Sequence, residues 1–287
     1  MSINRFSSVL ACSRAFALMA LLGILSPSPA LADIMLYPTR VVVEGAKRSA
    51  QVEIINRGQE PETYRIRIVN RRMSELGEIM PAESTLPGEQ FADEMVRYTP
   101  RQITLQPGAS QTVRISIRKP ADLAPGEYRS HLQFDRIANA AGLDELGAGA
   151  TKASNEVSIV LKTLIGASIP VIVRHGETSA SVTLDSLQIQ PGNEGTAPEL
   201  SFTFRRGGNR SVYGDVVAIY AAPGKEPVEI GSATGIAVYV PNAERRARLS
   251  LALPDGVILQ GGEIQLRYNE RADAGGALIT QAAVRVP

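Results

Sequence analysis

Residues 155–174 read NEVSIVLKTLIGASIPVIVR. Through the first half of this stretch the side chains alternate: Val157, Ile159, Leu161, Thr163 and Ile165 fall on one side, and Ser158, Val160, Lys162 and Leu164 on the other. Successive side chains of an extended chain point to opposite faces, so the segment reads as one long β-strand with an apolar face. Slipping its pairing by one residue would present the opposite face, which makes register the property that such a strand must control. The same alternation fits an ordinary half-buried core strand and a strand lent to a partner.

Upstream, shorter stretches of the same rhythm occur at 34–43, 50–56, 64–70, 102–105, 111–117 and 127–134. No segment sustains a long helical period. Pro107-Gly108 and Pro125-Gly126 punctuate them as turns. Seven strands so spaced predict an immunoglobulin-like β-sandwich. Residues 135–154, rich in Ala and Gly, predict a loop leading into the long strand.

The pattern restarts after Arg174-His175-Gly176, with strands expected at 181–190, 199–205, 212–220, 228–232, 247–253, 262–269 and 277–286. Pro191-Gly192, Gly207-Gly208-Asn209, Pro223-Gly224, Pro254-Asp255-Gly256 and Gly275-Gly276 fall between them as turns. The reading is all-β: two sandwich domains, 33–174 and 178–287, joined by a short linker.

The first 32 residues carry Arg5 and Arg14, an apolar run from Ala15 to Leu25 and the triplet Ala30-Leu31-Ala32. That is the layout of a secretory signal peptide cleaved after Ala32, since the run is too short for a spanning helix of roughly 20 residues. Cys12, the one cysteine, leaves with it, so the mature chain relies on burial without disulfides. Dropping Arg5 and Arg14 leaves 28 basic against 29 acidic side chains, a net charge of −1, and so no electrostatic case for nucleic acid. With only His131 and His175 and no retained cysteine, a zinc site is not expected. Gly-x-Ser-x-Gly, His-Glu-x-x-His and phosphate-loop patterns are absent, so no cofactor and no enzymatic activity are expected.

Four stretches of the first half, in order, resemble the PapD-like periplasmic chaperones of pilus assembly. They are LYPTRVVVEG (36–45), VRYTPRQITLQPGASQTVRISI (96–117), PGEYRSHLQF (125–134) and EVSIVLKTLIGASIPVIVR (156–174). The resemblance implies a boomerang of two immunoglobulin-like domains, located in the periplasm. It further implies that the first domain lends its long strand to pilin-like subunits and delivers them to an outer-membrane usher. The alternative class is a structural or adhesive surface protein that uses the same sandwich without chaperone activity.

Carried onto this sequence, the resemblance makes Val157, Ile159, Leu161, Thr163 and Ile165 the donor face. It makes Arg40 the anchor for a subunit's terminal carboxylate, and a guanidinium fork suits that role. Glu127, Arg174 and Glu270 take the positions of an interdomain charge cluster. One departure stands out. With Arg174 aligned to the family's arginine, Pro170 falls where the family has a second anchoring base, normally lysine. Lys162 shares its facing but lies eight positions away, roughly 27 Å along a strand.

Overall fold

The computed structural model describes residues 34–137, 166–192 and 196–287. The chain is all-β, as the periodicity predicts. Two immunoglobulin-like sandwiches follow one another, each closed over its own apolar core.

The first sandwich begins with β1 (Ile34–Tyr37), β2 (Val41–Val43), β3 (Ser49–Asn56) and β4 (Glu62–Val69). A hairpin of β5 (Arg71–Met73) and β6 (Ile79–Pro81) comes next. It is followed by β7 (Val96–Thr99), β8 (Gln102–Leu105), β9 (Ser110–Ile117), β10 (Gly126–Ile137) and β11 (Ala167–His175). One sheet runs β1-β3-β9-β7 and the other β2-β11-β10-β4-β8. The stretch 34–43, expected as a single strand, breaks at Pro38: proline offers no N–H to a ladder, and the chain passes there from one sheet to the other.

Alternation places Val52 and Ile54 of β3 and Val113 and Ile115 of β9 against Tyr64 and Ile66 of β4, Leu132 and Phe134 of β10, and Val171 and Val173 of β11. Burying each such side chain is worth about 1.5–3 kcal/mol, so this row dominates the stability of the first half. The turn at Pro107-Gly108 forms as predicted: Gly108 takes φ +73°, and its N–H donates to the Asn56 carbonyl at 2.9 Å.

The second sandwich comprises β12 (Ala180–Gln190), β13 (Glu199–Gly208), β14 (Val212–Ala221), β15 (Val228–Val238), β16 (Glu244–Ser250), β17 (Glu263–Glu270) and β18 (Leu278–Arg285). Its sheets run β12-β13-β16 and β15-β14-β17-β18. The seven strands match the seven expected, with ends shifted by a few residues. The largest extension is β15, which continues past 232 to Val238.

β10 breaks the simple pattern. From Gly126 to Leu132 every residue is buried, although Glu127, Arg129 and His131 point away from the core. A strand half-covered by its own sandwich would alternate, so a second layer must lie on its outer face. That layer is the β5–β6 hairpin and the neighbouring ends of β14 and β15: Met73, Ile172, Ala237 and Tyr239 form a small apolar cluster of their own between the sandwiches. Asn242 Nδ2 donates to the Met73 carbonyl at 2.9 Å, and the Arg246 N–H to the Glu75 carbonyl at 2.7 Å.

Candidate functional site

The outer face of the β2-β11-β10 sheet is set by its register. β11 pairs in parallel with β2 (Val171 to Val41, Val173 to Val43) and antiparallel with β10 (Arg174 to Glu127, Ile172 to Arg129, Pro170 to His131). Extending the parallel ladder one step back sets Arg40 beside Pro170. Two rows result on the outer face: Val42, Ile172 and Arg129, and beside it Arg40, Pro170 and His131.

Arg40 is half-buried and lines a cleft of about 810 Å³ between the sandwiches, together with Tyr37, Glu44, Arg174, Tyr213 and Glu270. Its guanidinium lies 4.5 Å from the centre of the Tyr213 ring and 5.4 Å from that of Tyr239, and Nη1 donates to the Tyr239 hydroxyl at 3.2 Å. It forms no ion pair among the described residues.

Behind Tyr239 lies Arg129, 6% exposed, with its guanidinium 3.8 Å from the same ring. Arg129 Nη2 donates to the Arg71 carbonyl at 3.2 Å, and Arg71 Nη2 donates to Gln133 Oε1 at 2.7 Å. His131 sits among these cations, 3% exposed. Burial, then the charges of Arg129, Arg71 and Arg40, push its pKa down to about 3, so it is neutral at physiological pH. Burial also lowers the pKa of Arg129, with Tyr239 and Glu127 acting against that shift. Sequence reasoning missed Arg71, Arg129, Tyr213 and Tyr239. Alternation along 127–134 does reveal the polar row Glu127, Arg129, His131 and Gln133, but not the tyrosines, which arrive from the second sandwich.

Two residues along β10 the charge arrangement changes. Glu127 is buried and accepts from Arg174 Nε at 3.0 Å, from the Ser211 N–H at 3.2 Å and from the Ser211 hydroxyl. Ser211 Oγ in turn accepts the Val240 N–H at 3.0 Å, which carries the network into the second sandwich. Arg174 Nη1 pairs with Glu44 at 2.9 Å. The structure therefore brings Glu127 and Arg174 together. Glu270 lines the same cleft, but the second carboxylate on Arg174 is Glu44. The donor-face residues Val157, Ile159, Leu161, Thr163 and Ile165, Lys162, and the signal peptide with Ala32 lie outside the described residues.

No family model and no curated protein matches the sequence. Solved structures do. The chain is similar to the YadV chaperone at 13% identity and a TM-score of 0.45, over 89% of this chain and 100% of that one. The chain is similar in fold to pilus chaperones. The chaperone DraB of E. coli is 15% identical at a TM-score of 0.42, with coverage of 88% and 96%. The CsuC–CsuE chaperone–tip subunit pre-assembly complex of Acinetobacter baumannii is 12% identical at a TM-score of 0.38, with coverage of 77% and 91%.

Proposed function

We propose that this protein is a periplasmic chaperone that holds pilus subunits by lending them the 155–165 segment as a β-strand, with Arg40 receiving the subunit's terminal carboxylate. The observation that carries the reading is Arg40. It faces an open cleft, has no acidic partner among the described residues, and stands beside β11 in register, directly downstream of the alternating segment. An extended client laid along that segment would run toward this guanidinium. Backbone pairing would supply affinity, and the alternating side chains would fix register. Three or four buried aliphatic residues at about 1.5–3 kcal/mol each would outweigh the cost of ordering the strand. Delivery to an outer-membrane usher belongs to the same reading.

The test is co-expression with a pilin-like protein encoded beside this gene. Wild type should recover soluble subunit, and Leu161→Asp or Ile165→Asp should abolish recovery. Arg40→Ala should lower it at least tenfold with the fold retained, because the residue is part-exposed and holds no ion pair. Equal recovery by all four proteins would refute strand donation. Appearance of the chain in sheared fibres instead of the periplasmic fraction would favour a structural or adhesive role.

A further inference from the structure

We infer that Arg71, Arg129 and His131, with Arg40 at the mouth, form a seat for a carboxylate on the outer face of β10. Three guanidinium groups converge here, and none has an acidic partner among the described residues. Glu127, an acid close enough to act on Arg129, is already committed to Arg174 and Ser211. Buried cations are kept where an anion or a full set of acceptors meets them. Here partners run short: Arg71 Nε, Arg129 Nη1 and His131 Nδ1 are buried with no hydrogen-bond partner among the described residues. Arg129 and His131 are both more than nine-tenths buried.

Tyr239 occupies the approach. Its ring lies within 5.4 Å of the Arg40 guanidinium and 3.8 Å of that of Arg129, and its hydroxyl holds Arg40. Ring faces bind cations more weakly than a carboxylate does through paired N–H bonds. The tyrosine therefore acts as a placeholder that an incoming carboxylate displaces from the two arginines. Pro170 makes room for this, since a long side chain there would enter the row between Arg40 and His131. The apolar wall of Ile172 and Pro170 favours a monovalent, partly desolvated ion over heavily hydrated phosphate. The seat places the second basic contact one strand over from where the family resemblance puts it. Only the identification of the carboxylate with a client's chain end rests on the strand-donation reading.

The full exported chain is titrated with [1-13C]acetate against chloride at constant ionic strength, following melting temperature and acetate line width. Wild type is expected to gain stability and broaden the line with acetate but not with equimolar phosphate. Arg71→Gln and Arg129→Gln are expected to weaken acetate at least about tenfold. Arg71 is only half-buried, so its variant keeps the test open if Arg129→Gln fails to fold. Absence of an acetate effect beyond chloride, an equal effect of phosphate, or unchanged affinity in Arg71→Gln would each overturn the seat. A short apolar peptide, as free acid and as amide, then tests the source. Competition with acetate by the acid alone supports a chain end, and equal binding of acid and amide overturns it. Because acetate binding needs no client, failure of subunit capture in the strand variants leaves this result standing, and the reverse holds too.

Discussion

Two polar clusters sit on the same face of β10, a few residues apart, and they are built on opposite principles. Around Glu127 the charges balance: one carboxylate meets the Arg174 guanidinium and two donors of Ser211, and Glu44 takes the remaining arm of the arginine. Around His131 there are cations and no described acid, with donors left over. Depth does not separate them, since Glu127, Arg129 and His131 are all at most 6% exposed. Closure does. The first cluster is satisfied by the chain itself and joins the sandwiches; the second meets no acid among the described residues.

The sharpest way to break the comparison is Glu127→Ala. Removing the buried carboxylate of this network strands the Ser211 donors and one face of Arg174, and should cost about 3–5 kcal/mol in urea unfolding. A loss below about 1 kcal/mol would show that the network is not closed as described.

The open cluster should announce itself through pH. His131 titrates near 6.5 when unfolded and at about 3 when folded. The unfolded chain therefore takes up the proton first: the contribution is fully present above pH 6.5 and is lost as pH falls toward 3, by at most about 1.4 kcal/mol per unit. Urea midpoints between pH 7 and 5 should show this slope, and His131→Gln should flatten it. A slope unchanged in the variant would assign it elsewhere.

The smallest effect belongs to Glu44→Ala. Its side chain is 60% exposed, and Arg174 keeps Glu127, so the change should stay under about 1 kcal/mol and fade further with salt. A larger loss would mean that the outer arm of the arginine matters as much as the inner one.

The fold is legible in the sequence because period-two patterning and turn residues are local signals: all seven strands of the second sandwich can be placed from them, and Gly108 turns where Pro107-Gly108 predicts. The site is only partly legible. Arg40 and the Glu127–Arg174 neighbours can be named by resemblance, and the polar row of β10 follows from alternation. Which of these side chains are buried depends on Tyr239, Ser211 and the hairpin, all distant in sequence. The hairpin leaves no pattern of its own. Arg71-Arg72-Met73 and Ile79-Met80-Pro81 are too short to show a period, and they take shape by packing on the other half.

That hairpin has a consequence for how the molecule comes apart. Through the Arg246 amide and the Asn242 side chain, the second half rests hydrogen bonds on main-chain oxygens of the first. Severing the connection near Gly176 would therefore not release two finished modules. Each piece would carry away a wet scar where main-chain groups once met, and the first would expose a stripe of bare guanidinium to any acidic stranger.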